Sequence, residues 1–132
     1  MKTIGSIGLG AMGGSYAKFL IEDNYKVHGV DPDTQNAEIF ISLGGVLLNN
    51  ISELLDKSNV IILSLPTIPI FKEVINEIEL NGKSNESKVL IDMNTISLDD
   101  KIETKNNLDK LNIFMVDAPV SGTGAQAKVK DI

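Results

Sequence analysis

A glycine-rich stretch near the N-terminus has the residue types and the spacing of a phosphate-binding loop. It reads Gly8-Leu9-Gly10-Ala11-Met12-Gly13, after the apolar run Thr3–Ile7 and at the start of a segment, 11–22, with helical spacing of apolar residues. In such a turn the first glycine permits the tight bend, and the second lets the backbone approach a pyrophosphate. The third lets the helix pack closely on the strand. Free N–H groups at the helix start complement the phosphate charge.

A carboxylate follows at the distance that this motif requires. Asp31 ends the next apolar run, 18 residues after Gly13, close to the spacing of about 20 for an acidic residue that binds ribose hydroxyls. The two features predict dinucleotide binding through residues 8–13 and Asp31. The alternative is a tight turn without a ligand, in which Asp31 is an ordinary strand end. Because its charge would repel a 2′-phosphate and no arginine is nearby, NAD is predicted in preference to NADP.

Strand and helix signals alternate along the whole chain. Helices are predicted at about 11–22, 34–43, 52–57, 69–80 and 98–111, and strands at about 3–7, 26–30, 46–48, 59–65, 88–91 and 112–116. Nearly continuous apolar strands between helices indicate a parallel sheet that is buried on both faces. The predicted fold is therefore α/β: a Rossmann-type, doubly wound, mainly parallel sheet in the strand order 3-2-1-4-5-6, with helices on both faces.

The carboxyl ends of the predicted strands collect polar residues at one edge. In an open α/β sheet ligands bind outside those ends. Besides the glycine loop and Asp31, they carry Ser64–Thr67, Asp92–Thr95 and Asp117–Gly122. Each segment also has a purely structural interpretation, in which the prolines end strands, Thr95 and Ser97 cap a helix, and the aspartates brace turns. Because all of them share one edge, we predict a single binding site there.

Composition narrows the classes of partner. The chain has 132 residues, with 12 basic and 18 acidic residues and a net charge of −6, so neither nucleic acid nor an anionic membrane is an expected partner. The absence of cysteine from the sequence rules out disulfides and thiolate chemistry and fits a cytoplasmic protein. No signal peptide is evident, and the longest apolar run, residues 60–63, is too short to span a bilayer. No metal site is predicted, and the only histidine, His28, lies mid-strand, away from the polar edge.

Four motifs in order resemble the β-hydroxyacid dehydrogenases, a family that includes 3-hydroxyisobutyrate dehydrogenase and the N-terminal domain of 6-phosphogluconate dehydrogenase. They are the glycine loop, Leu65-Pro66-Thr67, Asp92–Ser97 and Asp117–Gly122. The resemblance implies an oxidoreductase that transfers a hydride between NAD and a small 3-hydroxy acid. It places the cofactor's nicotinamide side at Leu65, Pro66 and Thr95, and the substrate at Ser121 and Gly122. It also makes Asn94 a cofactor-binding residue.

The chain also departs from this family. Tyr16 and Phe19 replace the usual Met and Asn, Leu98 replaces a proline, and Thr123 replaces a common second glycine in the substrate loop, which leaves the substrate open. Family members are longer, with a C-terminal helical domain and a proton-transferring lysine on the linking helix. We therefore expect residues 1–132 to be one dinucleotide-binding domain, ending before its last strands, that is inactive alone and belongs to a homo-oligomeric enzyme.

Two points stay open at this stage. Lys128 and Lys130 are the nearest lysines after Ser121, and we expect them to be solvated loop residues rather than substitutes for the family lysine. The alternative function is a non-catalytic dinucleotide-binding module that senses redox state.

Overall fold

The computed structural model describes residues 2–83 and 85–131; Met1, Ser84 and Ile132, and so both ends of the predicted 1–132 domain, lie outside the described residues. The elements follow the predicted alternation of strand and helix. The strands are β1 (Thr3–Ile7), β2 (Lys26–Val30), β3 (Val46–Leu47), β4 (Val60–Leu63), β5 (Lys88–Asp92) and β6 (Ile113–Asp117). The helices are α1 (Ala11–Glu22), α2 (Thr34–Ser42), α3 (Ile51–Lys57), α4 (Ile68–Asn81), α5 (Leu98–Asp109) and α6 (Gly124–Ala127).

All the strands join one parallel sheet in the order β3-β2-β1-β4-β5-β6. This confirms the predicted Rossmann-type α/β fold and its strand order. Gly5 of β1 pairs with His28 of β2 on one side and with Ile61 of β4 on the other. The loop after β1 therefore leaves the sheet where the strand order reverses, which is where doubly wound sheets bind ligands.

Helices cover both faces of the sheet, as predicted. On one face, α1 and α2 pack over β2 through Ala17, Val27 and Phe40. On the other face, α3, α4 and α5 cover a larger core that includes Leu54, Ile61, Leu63, Ile78, Leu90 and Leu108. Within the described residues, no helix is long and apolar enough to cross a membrane.

Several element boundaries differ from prediction by one or two residues, and one short helix was not predicted. Helix α3 starts at Ile51, not at residue 52, because the side chain of Asn50 accepts the N–H of Glu53 at 2.8 Å. Strand β4 ends at Leu63, and the N–H of Leu65 donates instead to the side chain of Asn94. Helix α6 was not predicted; reciprocal capping between Thr123 and Gln126 starts it.

Candidate dinucleotide and substrate site

Two of the three loop glycines are required by the chain's own packing. Gly8 has φ +92°, and a Cβ there would collide with the carbonyl oxygen of Ser64. A Cβ at Gly13 would collide with the carbonyl oxygen of Gly8. Both contacts are with backbone, which has little freedom to move aside. These two glycines therefore bring α1, β1 and the end of β4 into close contact.

The middle glycine is different. Gly10 has φ −70°, which any residue can adopt, and no heavy atom lies within 4 Å of the position that its Cβ would take. Nothing in the described chain therefore requires glycine at this position. The open space lies at the start of α1, where the motif brings a pyrophosphate against the backbone. A dinucleotide fits this position of the chain.

The N-terminus of α1 also differs from those of the other described helices in having no side-chain cap. Gly10 is its N-cap, without a side-chain hydrogen bond to the first turn. The five other helices in the described ranges each have a side-chain cap, supplied by Asp33, Asn50, Thr67, Ser97 and Thr123. The first N–H groups of α1 are therefore left for an external acceptor, and the positive end of the helix dipole favours an anion there.

Asp31 lies beside the glycine loop, where it was predicted. Its Oδ2 accepts the N–H of Leu9 at 2.8 Å and the side-chain amide of Asn36 at 3.3 Å. Its Oδ1 accepts the N–H of Asp33 at 2.8 Å. The carboxylate thus joins the end of β2 to the glycine loop and to the start of α2. Because the two oxygens of a carboxylate offer about four acceptor sites and three are used, about one site is left for a ribose hydroxyl.

A cavity of about 320 Å³ lies at the carboxyl ends of β4 and β5. Five predicted cofactor residues line it: Met12, Leu65, Pro66, Asn94 and Thr95. Five further lining residues lie in segments that the sequence analysis had singled out, without a named cofactor role: Ser64, Thr67, Met93, Ile96 and Val120. Sequence reasoning missed Ile68 and Phe71 of α4, which are apolar and look like ordinary core positions in the sequence.

The two predicted substrate residues lie outside this cavity. Ser121 and Gly122 are exposed, in the loop between β6 and α6, whereas Val120 reaches the cavity wall. Gly122 has φ 140°, a backbone conformation that favours glycine. In the described chain the predicted substrate loop, residues 118–123 between β6 and α6, therefore borders the cavity through Val120 only.

Asn94 holds the wall of the cavity together. Its Oδ1 accepts the N–H of Leu65 at 2.7 Å, and its Nδ2 donates to the carbonyl oxygen of Leu63 at 3.3 Å and to Oδ1 of Asp92 at 2.7 Å. The side chain was predicted as a cofactor contact. In the structure its polar atoms join the ends of β4 and β5.

A buried lysine, to which the sequence analysis gave no role, lies behind this wall. The Nζ of Lys101 donates to the carbonyl oxygen of Asn94 at 2.8 Å, lies 3.1 Å from Oδ2 of Asp92, and pairs with Oδ1 of Asp117. The sequence did contain a signal, because Lys101, Thr104 and Leu108 share the buried face of a largely polar helix. A lysine on such a face needs a buried partner.

The start of α5 follows the prediction for Ser97. Its Oγ accepts the N–H of Asp100 at 3.2 Å and donates to Oδ2 of Asp100 at 2.8 Å. This hydrogen bond, aided by the charge of Lys72, lowers the pKa of Asp100. Asp100 is therefore a charged cap of α5 rather than a proton donor.

The comparison with known families agrees with this geometry. The family described as the NAD binding domain of 6-phosphogluconate dehydrogenase matches residues 3–131. The chain belongs to this family. Glycine-rich turns at the start of a helix, with an acidic residue at the end of the next strand, are general features of dinucleotide-binding domains.

Several relatives of this NAD-binding domain are named hydroxyacid dehydrogenases or reductases. The chain is 32% identical over 129 residues to 2-(hydroxymethyl)glutarate dehydrogenase of Eubacterium barkeri, covering 94% of this chain and 42% of the relative. It is 32% identical over 123 residues to 2-hydroxy-3-oxopropionate reductase of Escherichia coli K12, covering 90% and 41%. The solved 3-hydroxyisobutyrate dehydrogenase of Mycobacterium tuberculosis with L-serine superposes with a TM-score of 0.89 at 27% identity, covering 98% and 44%. The chain thus spans less than half the length of these relatives.

Proposed function

We propose that this NAD-binding domain is the cofactor half of an oxidoreductase that transfers a hydride between NAD and a small 3-hydroxy acid. The observation that carries the proposal is the open space at Gly10, at the uncapped start of α1 and beside Asp31. The names of the relatives support the reaction class, since the two sequence relatives above are a dehydrogenase and a reductase of hydroxy acids.

In this proposal each part of the cofactor has its own residues. The N–H groups of residues 10–13 hold the pyrophosphate, and Asp31 holds the adenosine ribose. Leu65, Pro66 and Thr95 surround the nicotinamide in the cavity, and Asn94 keeps that wall in place. The bound nicotinamide supplies the hydride chemistry. The chain's own residues orient the ring and exclude water from one side of it.

The preference for NAD over NADP rests on two neighbouring carboxylates. Asp31 accepts three hydrogen bonds from the chain, and Asp33, two residues further on, caps α2. A 2′-phosphate on the adenosine ribose would approach both negative charges. The sequence contains no arginine that could neutralise that phosphate.

The substrate side of the proposal depends on the loop after β6. Ser121 and Gly122 offer a hydroxyl and backbone N–H groups to a substrate carboxylate or hydroxyl. The lysine that transfers the proton in the resembling family has no counterpart among the motifs of residues 1–132. Lys128 and Lys130 are exposed, and Nζ of Lys130 lies over the ring of Phe19, 4.5 Å from its centroid. We therefore propose that this chain binds the cofactor and that the acid–base group lies elsewhere in the enzyme.

The test combines a binding and a turnover measurement on the chain itself. Calorimetric titration with NAD and with NADP is expected to show binding of both, with NAD the tighter. Assays with NAD and a panel of 3-hydroxy acids are expected to show no turnover, because general acid–base help alone contributes about 10²–10⁴ in rate. Absence of NAD binding would overturn the proposal. Substantial turnover would show that the catalytic group lies in this chain after all.

A further inference from the structure

Lys101 joins its own helix to the end of β5 with the following turn and to the end of β6. It is 8% exposed on the inner face of α5. Its ammonium contacts the carbonyl oxygen of Asn94, the carboxylate of Asp92 and the carboxylate of Asp117. Asp92 ends β5 and Asn94 belongs to the turn after it, which forms one wall of the cavity, and Asp117 ends β6, directly before the substrate loop. One charge therefore holds the cavity wall and the substrate loop in a fixed relation.

Asp92 depends on that charge. It is fully buried, and its Oδ1 accepts the backbone N–H of Asn94 at 3.0 Å and the Asn94 side-chain amide at 2.7 Å. Its Oδ2 makes no hydrogen bond within the described chain, and the Lys101 ammonium lies 3.1 Å from it. A buried carboxylate is strongly unfavourable without a compensating charge. Lys101 supplies it.

The contacts continue from Asp92 to the cavity. Asp92 orients Asn94, and Oδ1 of Asn94 accepts the N–H of Leu65 at 2.7 Å. Leu65 and Asn94 line the cavity, whereas Lys101 does not. The effect of Lys101 on a ligand is therefore indirect, through the turn 92–95 and the end of β4.

We propose that Lys101 is a positioning residue for the nicotinamide and substrate side of the site. It fixes the turn after β5 against the start of the substrate loop, so that a nicotinamide enters a preformed wall. This inference rests on the proposed function. Lys105, one helical turn further along α5, offers a matched control, because it is exposed and its only ion pair in the described chain is with Asp109 at 2.6 Å on the same helix.

The experiment compares two ligands that differ by the nicotinamide ring alone. NAD and ADP-ribose are titrated into the wild-type chain and into Lys101→Met, Lys101→Arg and Lys105→Met. We expect Lys101→Met to weaken NAD binding on the order of tenfold and to leave ADP-ribose binding unchanged, because ADP-ribose lacks the nicotinamide ring that would enter the cavity. Lys101→Arg keeps the charge and is expected to restore most of the NAD affinity. Lys105→Met is expected to have no effect on either ligand.

A second measurement needs no ligand. Amide hydrogen exchange in Lys101→Met is expected to rise in residues 93–96 and 118–122 and to stay at the wild-type level in residues 9–13. Asp117→Asn removes one partner at a half-exposed position, so it keeps the test available if Lys101→Met fails to fold. That variant is expected to raise exchange in residues 118–122 alone.

The outcomes separate this inference from the proposed function. If the wild-type chain binds neither ligand, the proposed function fails, and the exchange pattern still decides the role of Lys101. Equal losses of NAD and ADP-ribose binding in Lys101→Met would overturn the positioning role, since they indicate general destabilisation. Unchanged exchange in both segments would also overturn it.

Discussion

The two sides of the candidate site are held together in different ways. On the proposed adenosine side, backbone packing fixes the structure: Gly8 and Gly13 allow close approaches that a Cβ would block, and the N–H of Leu9 donates to Asp31. On the nicotinamide side, ionised and amide side chains decide, because Lys101 and Asn94 connect the ends of β4, β5 and β6.

This difference explains why the residues of one side can be predicted from the sequence and those of the other side cannot. A backbone requirement restricts the residue type to glycine at fixed spacing, and that restriction is visible in one sequence. A side-chain network such as Lys101 with Asp92 and Asp117 can be built from many residue types and spans 26 positions, so it becomes visible only when the fold brings its members together.

The largest expected effect is on the stability of the backbone-held side. Gly8→Ala or Gly13→Ala places a methyl group against a backbone carbonyl oxygen, and Gly8 also has a positive φ. Overpacking and strain together are expected to cost about 2–6 kcal/mol of unfolding free energy. Urea denaturation of each variant measures it. A loss below 1 kcal/mol would show that the loop can relax and that the backbone does not hold this side.

Gly10→Ala tests ligand binding separately from stability, because the added methyl group is expected to block the pyrophosphate without disturbing the packing of the chain. No atom of the described chain lies near the added methyl group, so unfolding free energy is expected to change by less than about 1 kcal/mol. The methyl group faces the proposed pyrophosphate and displaces two or more charge-assisted hydrogen bonds. NAD binding is therefore expected to weaken about 100-fold or more. Wild-type affinity for NAD in a stable Gly10→Ala chain would contradict the proposed position of the pyrophosphate at the start of α1.

Asp31 is the one side chain on which the adenosine side depends. Asp31→Asn keeps an acceptor for the N–H of Leu9 but removes the charge, and it is expected to weaken NAD binding by about 1–3 kcal/mol. Affinity for NADP is expected to fall less or to rise, because the repulsion of the 2′-phosphate is removed.

Asp33→Asn is the matched control for that experiment. Asparagine caps a helix as well as aspartate does, so the variant changes the charge beside Asp31 while α2 keeps its cap. NAD affinity is expected to stay at the wild-type value. Parallel calorimetric titrations of both variants decide the point, and an equal response to NAD and NADP in Asp31→Asn would contradict the proposed ribose contact.

Sequence reasoning was most successful where local chemistry alone decides the structure. The glycine turn and the cap at Ser97 were predicted, because each depends on a few neighbouring residues. The strand order was predicted because strands and helices alternate along the whole chain and right-handed crossovers leave few possible topologies. Helix α6 was missed because a four-residue helix has too few positions to show a period. The apolar cavity lining, such as Phe71, was missed because apolar residues at core and at ligand surfaces look alike in sequence.

The smallest expected effect concerns His28, in the same strand that ends in Asp31. His28 is buried, with Nδ1 3.5 Å from the hydroxyl of Ser58, and burial, together with the charges of Lys26 and Lys57, lowers its pKa below the usual 6.5. A lowered pKa means that the unfolded chain binds the proton more readily than the folded chain. The contribution of His28 to the unfolding free energy is therefore fully present above about pH 6.5. It declines as the pH falls, by at most about 1.4 kcal/mol per pH unit for one group.

The acidic groups with lowered pKa values, such as Glu53, titrate below pH 5 and act in a separate range. Urea denaturation of the wild type and of His28→Gln between pH 7 and 5 measures the difference. We expect the decline in the wild type only; an equal decline in both chains would assign it to other titratable groups.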